Sequence, residues 1–250
     1  MIQSIELQRD YWDAWNASNR EQRLSEVSLD QRDIVLRWLH ELDRTDLDLI
    51  EVGCGAGWLC PSLKPFGRVT ATDLSPHVLG RASQRVPDVR FIAGDFMALD
   101  IEPASFDAVV TLEVLSHVAD HHAFVEKLHT ILRPSGLLML ATQNRPVLER
   151  FNDVPEPQPG QLRRWFDRSE LETLLDPFFE VQRLQTITPV ASKGPLRLVA
   201  GRKTKRIIRA AIGRSLEHAL AKAGLGWTLM ALARQRELSG SSTPAPSEKD

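Results

Sequence analysis

The stretch Leu47 to Gly57 constrains the possible folds of this chain more than any other part of it. Leu47 to Val52 is a short apolar run of strand length, and Gly53-Cys54-Gly55-Ala56-Gly57 follows it directly. A helical pattern from about Trp58 to Leu63 comes next, with Pro61 tolerable because it lies near the helix start. A strand that ends in a glycine turn and opens a helix is where doubly wound α/β folds bind nucleotides. Glycine takes positive φ and lets a ligand approach the backbone with no Cβ in the way. A dinucleotide fingerprint, G-x-G-x-x-G, would need a glycine where Trp58 stands. The loop therefore suits a nucleoside without a pyrophosphate.

Strand and helix patterns alternate along most of the chain, which predicts a three-layer, doubly wound, Rossmann-like α/β fold with a mostly parallel sheet. Ser28 to Gln31 has capping-box spacing, and Ile34, Val35, Trp38, Leu39 and Leu42 recur at helical intervals behind it. Further strands are expected at Val69–Thr72, Val89–Ala93, Phe106–Leu112 and Leu137–Ala141. Ser75-Pro76 and Asp120 open the helices between them, and Arg133 to Gly136 reads as a stop and turn. Residues 143–162 hold four prolines and read as a long loop or lid. A capped helix from Asp167 to about Leu175, a strand Phe178–Leu184, a helix Lys203–Ala223 and a strand Trp227–Ala233 complete the pattern. Residues 1–238 are expected to form one domain, with 143–166 and 187–225 as acceptor-side insertions. The polar stretch 239–250 is expected to be disordered.

Composition removes several function classes. A 250-residue chain with 42% hydrophobic residues can bury roughly 70% of its unfolded surface, so it needs no metal or disulfide staple. A net charge of −2 gives no electrostatic case for nucleic acid. Cys54 and Cys60 cannot supply a four-ligand zinc site, and no metal is expected. The N-terminus has no apolar signal core and no run of about 18 apolar residues occurs, so a cytoplasmic location is expected.

Two carboxylates follow the glycine loop in frame. Asp73 ends the second strand, where a carboxylate can accept from both ribose hydroxyls. Asp95 ends the third, within Gly94-Asp95-Phe96-Met97, where it could accept from an adenine amino group. In this order the motifs resemble the class I S-adenosylmethionine-dependent methyltransferases over residues 8–186 and the last strand. The small-molecule branch that includes ubiquinone-type O-methyltransferases is the most similar. That resemblance implies S-adenosyl-L-methionine as cofactor and a seven-stranded sheet with one antiparallel strand, Trp227–Ala233. It assigns Glu51, Gly53, Gly55 and Gly57 to the methionine end, Asp73 and Leu74 to the ribose, and Asp95 and Phe96 to the adenine. Leu112, at the end of the fourth strand, is placed against the cofactor. Tyr11 to Trp15 resembles the family's N-terminal lid, with Tyr11 and Trp15 closing over the cofactor. A helix packed on the sheet through the same aromatics is the alternative.

His117, in the segment that faces the reaction centre in that family, is the candidate base for an acceptor hydroxyl. A histidine that merely caps or packs the turn competes with that role. Ser116 stands where the family often has an acid, which weakens any carboxylate–histidine pairing. His121 and His122 are expected to be solvated. Nine Lys/Arg and no acid lie between Glu180 and Glu217. Their side chains form a solvated helix face, cover the acceptor site, or touch anionic lipid through 202–214. The preferred reading is O-methylation of a small molecule. N- or C-methylation, a nucleotide-binding oxidoreductase and an inactive binding subunit are the alternatives. Oligomeric state is left open.

Overall fold

In the computed structural model, which describes residues 4–20 and 23–237, the apolar runs pair into one seven-stranded sheet. Helix α1 (Ile5–Trp15) and α2 (Glu26–His40) lead into β1 (Leu47–Val52), and α3 (Cys60–Leu63) into β2 (Gly67–Asp73). Helix α4 (Pro76–Arg85) joins β2 to β3 (Arg90–Ala93), and β4 (Phe106–Leu112) follows. Next come α5 (His121–Ile131), β5 (Leu132–Gln143), α6 (Arg145–Phe151), α7 (Arg168–Leu175) and β6 (Phe179–Ile187). The chain then runs through α8 (Arg197–Ala200), α9 (Arg202–Ile212) and α10 (Ser215–Lys222) to β7 (Thr228–Gln235).

The strand order is β3-β2-β1-β4-β5-β7-β6. β1 pairs in parallel with β2 and β4, while β7 runs antiparallel between β5 and β6. This is the single reversed strand the resemblance implied. Alternation along β1 splits the core into two. Leu47 and Leu49 face a cluster with Val35, Trp38 and Leu39 of α2 and Leu79 of α4. Ile50 and Val52 face Phe124 and Leu128 of α5, with Leu171 and Leu175 of α7 in the same cluster. A central parallel strand buried on both faces needs this continuous apolar sequence.

Four local expectations are corrected. Helix α2 starts at Glu26, because Ser25 and not Ser28 accepts the capping bond, from Ser28 N at 3.1 Å. The 143–162 stretch is not all loop: α6 occupies its start, with Pro146 in the first turn, where a missing N–H costs nothing. Arg133 to Gly136 is absorbed into β5, and the β4–β5 register slips between Phe106 and Ala108 to take it in. The helix expected over 203–223 is two helices, broken where Gly213 turns at φ +64°. The expected tail 239–250 lies outside the described residues. No described helix is long and apolar enough to cross a membrane.

Candidate functional site

The carboxyl ends of β1, β2, β3 and β4 meet where the order reverses, between β1 and β4. An open parallel sheet binds ligands at that crevice. Gly53, Gly55 and Gly57 all adopt positive φ (75°, 53° and 68°). The space over the turn is closely matched. A Cβ on Gly53 would lie 2.1 Å from Val114 Cγ2, and one on Gly55 would lie 2.7 Å from Asn16 Oδ1. Glycine is required here both for the backbone and for the approach of neighbouring segments.

Asp73 is tied to this turn. Its Oδ2 accepts from Gly55 N at 2.8 Å and its Oδ1 from Ser75 N at 3.1 Å. Burial pushes its carboxyl above the ordinary aspartate range, the backbone donors oppose this, and the charge of Asp13 adds to it. Each carboxylate oxygen keeps a second lone pair after these bonds, which a pair of ligand hydroxyls can use. Leu74 beside it is half-buried. Gly94 N bonds to Asp73 O at 3.0 Å, so Asp95 sits at the end of the neighbouring strand. Asp95 Oδ1 accepts from Met97 N at 3.0 Å. Phe96, assigned by resemblance to the adenine, is buried in the core against Phe124, with ring centroids 5.5 Å apart. Met97 is the exposed apolar side chain of that turn, at 38%.

Glu51 is only 2% exposed, and Cys60 Sγ donates to its Oε2 at 3.2 Å. Both cysteines are buried free thiols. The Cys54 thiol is pushed up by its hydrogen bond with Cys60, by burial, and by the charges of Glu51 and Asp73. Leu112 is half-buried at the end of β4.

The N-terminal segment lies over the same crevice. Asn16, 4% exposed, reaches Gly55 while its Nδ2 donates to Trp12 O at 2.9 Å. Trp12 packs edge-on against both Trp15 and His117, at 5.7 and 4.6 Å. Tyr11 stacks edge-on against Trp12, and its hydroxyl is pushed up by burial, against the charge of Arg163. Gly160 receives α1 on the other side: a Cβ there would lie 2.2 Å from Leu7 O and 2.8 Å from Tyr11 Cβ. The structure thus brings Tyr11, Trp12 and Trp15 to the face that carries His117.

His117 Nδ1 lies 2.6 Å from Leu162 O. A carbonyl only accepts, so Nδ1 carries the proton and Nε2 holds the lone pair. Burial, helped by the positive charge of Arg163, lowers this imidazole to about 4 despite the bond to Leu162, so it is neutral near pH 7. Ser116 turns away from it and shares a 2.9 Å hydrogen bond with Thr142. His121 is not solvated as expected. It is half-buried against Phe166, with centroids 5.2 Å apart, because α5 starts at that residue behind its cap Asp120. His122 is exposed.

Two site residues had no sequence signal. Asn16 is one. Glu113 follows β4 at φ +65°, a conformation that costs a non-glycine residue energy. Its Oε1 accepts from Gln31 of α2 and, at 3.1 Å, from Thr228 of β7. Only the packing of three distant segments makes that bonding available. The basic stretch also departs from a purely solvated face. Lys205, Arg209 and Arg214 pair with Glu26, Asp30 and Glu217, which fastens α9 and α10 onto α2.

Residues 50–140 match the family profile of a methyltransferase domain. A ubiquinone biosynthesis O-methyltransferase of Xanthomonas oryzae pv. oryzae is 33% identical over 142 residues, 54% of this chain and 56% of that protein. One from Methylocella silvestris is 39% identical over 105 residues, covering 40% and 41%. The chain thus spans about half the length of the curated relatives it matches. The N-methyltransferase NodS of Bradyrhizobium japonicum, solved with S-adenosyl-L-homocysteine, superposes over 92% of this chain and 100% of its own. The TM-score is 0.63 at 17% identity, a likeness of fold.

Proposed function

On the premise that this chain carries a class I S-adenosylmethionine-dependent methyltransferase domain, we propose that it methylates a hydroxyl of a small molecule. The observation that carries the reading is Asp73 bonded into the positive-φ glycine turn at the switch point of the sheet. The cofactor fits these residues. The turn admits no Cβ, Asp73 presents free lone pairs for two ribose hydroxyls, and Asp95 and Met97 end the neighbouring strand for the adenine. Gly53, Gly55 and Gly57 would border the methionine end, with Glu51 beneath them, Leu74 and Leu112 alongside, and Tyr11 and Trp15 in the cover. Phe96 supports the adenine turn from the core. When bound, S-adenosylmethionine supplies a methyl carbon already activated by its sulfonium.

The chain's own work is to align the acceptor and remove a proton. His117 acts as base through Nε2, taking the hydroxyl proton as the new carbon–oxygen bond forms. A base this weak suffices, because an oxygen gaining a methyl group becomes strongly acidic. His117→Gln should lower turnover by roughly a hundredfold and leave S-adenosylhomocysteine affinity unchanged. Since protonation of an imidazole lowered to about 4 removes the base, the wild-type rate should stay flat above about pH 5.5 and fall below it. An inflection near the ordinary histidine value would refute a buried neutral base. The whole assignment is tested by calorimetry: S-adenosylhomocysteine should bind and NADH should not, and the reverse would end it.

Two further parts of the reading concern location. Buried free thiols at Cys54 and Cys60 suit a reducing, cytoplasmic setting. A peripheral contact through 202–214 is supported by Ile207 and Ile212, 69% and 56% exposed, beside exposed Lys203 and Arg206. The chain should float with anionic vesicles, and Ile207→Asp should abolish that. Equal flotation of the variant would count against the contact.

A further inference from the structure

Beyond the crevice described above, the structure has an open cleft of about 1050 Å³ between α6 and the segment that follows it. Arg145, Asp153, Arg163, Trp165, Glu170 and Lys193 are among its lining residues. Four of its eight charged side chains are in ion pairs, and the exposed Arg164 lies 5.0 Å from the Phe166 ring centroid. Arg145 bridges Asp167 and Glu170, and Lys193 lies 3.5 Å from Asp153. Glu149 and Glu156 are exposed to solvent.

Arg163 differs from these. Nη1 donates to Pro155 O at 2.6 Å and Nη2 to Gln161 Oε1 at 3.1 Å, and its guanidinium lies 5.4 Å from the Trp165 ring centroid. All three partners are neutral. Among the described residues no carboxylate pairs with it. Three fixed contacts hold the half-buried head in one place, so little side-chain freedom is left for a ligand to remove.

Its position along the chain matters as much. The residues on either side bond to the turn that carries the candidate base: Leu162 O meets His117 Nδ1 at 2.6 Å, and Arg164 N meets Ser116 O at 2.9 Å. Arg163 is therefore clamped beside His117 while its head lines the cleft. Its charge is felt at both the His117 imidazole and the Tyr11 hydroxyl. A cation held by neutral groups between a cleft and a base is suited to anchor an anion.

We propose that Arg163 binds a carboxylate of the methyl acceptor, so that the substrate class is a hydroxy acid whose acid group lies in this cleft and whose hydroxyl reaches His117. The inference rests on the methyltransferase reading and narrows its substrate class. It also gives the 152–166 segment a task, that of carrying the acceptor's charge partner on a stretch locked to residues 116 and 117.

The test uses 4-hydroxybenzoate and its uncharged methyl ester as probes, titrated calorimetrically into the full chain saturated with S-adenosylhomocysteine. The acid should bind roughly tenfold to a hundredfold more tightly than the ester, the range for a charge-assisted pair. Arg163→Gln should erase the preference and Arg163→Lys should keep part of it, with S-adenosylhomocysteine affinity within about twofold of wild type in both, since the head lies outside the glycine crevice. Equal binding of acid and ester, a preference that survives Arg163→Gln, or no binding of the acid overturns the proposal. Acetate provides an arm that does not depend on acceptor shape. It should shift the Arg163 side-chain NMR resonance saturably, with or without S-adenosylhomocysteine, and a flat titration is equally fatal. If wild type fails to bind S-adenosylhomocysteine, the methyltransferase reading falls first, and the acetate arm still reports on Arg163.

Discussion

Asp73→Ala should cost the protein about 1.5–3 kcal/mol of S-adenosylhomocysteine affinity, roughly tenfold to a hundredfold, in a chain that still folds. The size follows from the geometry. Asp73 accepts two backbone bonds and keeps one lone pair on each oxygen for a ligand donor. Removing it also releases Gly55 N, which loosens the turn on which the rest of the site depends. Asp73→Asn separates the two effects, because its amide oxygen can still hold one backbone N–H while the charge is gone. It should lose most of the affinity with less change in melting temperature. The raised carboxyl has a thermodynamic sign. Ionising a group whose folded value lies above its unfolded one costs the fold stability as pH rises past the unfolded value. Hydroxyl donors from a ribose would offset that cost, so ligand stabilisation should weaken as acid protonates Asp73. Unaltered affinity in Asp73→Ala would remove the central support for a nucleoside site.

Glu217→Ala should destabilise the fold by about 3 kcal/mol, the lower end of the scale for breaking a buried ion pair, because Lys205 loses one of its two carboxylates. The Glu217 and Lys205 side chains are each 7% exposed and lie 3.6 Å apart. Arg209 donates to Glu217 through two nitrogens at 2.7 and 2.6 Å, and Arg214 approaches it at 3.5 Å. Without the carboxylate, Lys205 keeps only Glu26 and the Pro189 carbonyl as partners. Burial alone would raise the Glu217 carboxyl, but the hydrogen bond from Arg209 and the charges of Lys205, Arg209 and Arg214 hold it below the ordinary value. Glu26 is held down in the same way. A depressed carboxyl contributes stability that is full above its unfolded value and is lost as pH falls through its folded one. Hydrogen exchange should therefore show α9 and α10 opening from α2 in mild acid, ahead of the sheet. A denaturant midpoint unchanged in Glu217→Ala, or α9 and α10 protected as long as β4, would show that the cluster does not hold this segment.

These two residues also mark where sequence reasoning works and where it stops. Asp73 was legible because its place depends on a local pattern, a strand of period two that ends in a polar turn. The same holds for the capping box at Asp167 and Glu170, which forms as expected. Glu217 carried no such signal. It was only the acid that closed a basic stretch, and Glu26, the acid with which it shares Lys205 and Arg209, lies 191 positions away. Pro146 misled because a proline inside an irregular stretch argues for a loop, whereas in the first turn of a helix it is favoured.

By itself, then, the sequence determined the layers, the glycine turn and the two carboxylates at neighbouring strand ends, since each follows from the spacing of apolar and special residues over a few positions. Only the tertiary structure decided what stands over that turn. Asn16 reaching Gly55, Leu162 fixing the tautomer of His117, and Glu113 held by Gln31 and Thr228 all join segments that are far apart in the chain. Such contacts are set by how packed elements come to rest against one another, and no local periodicity records that.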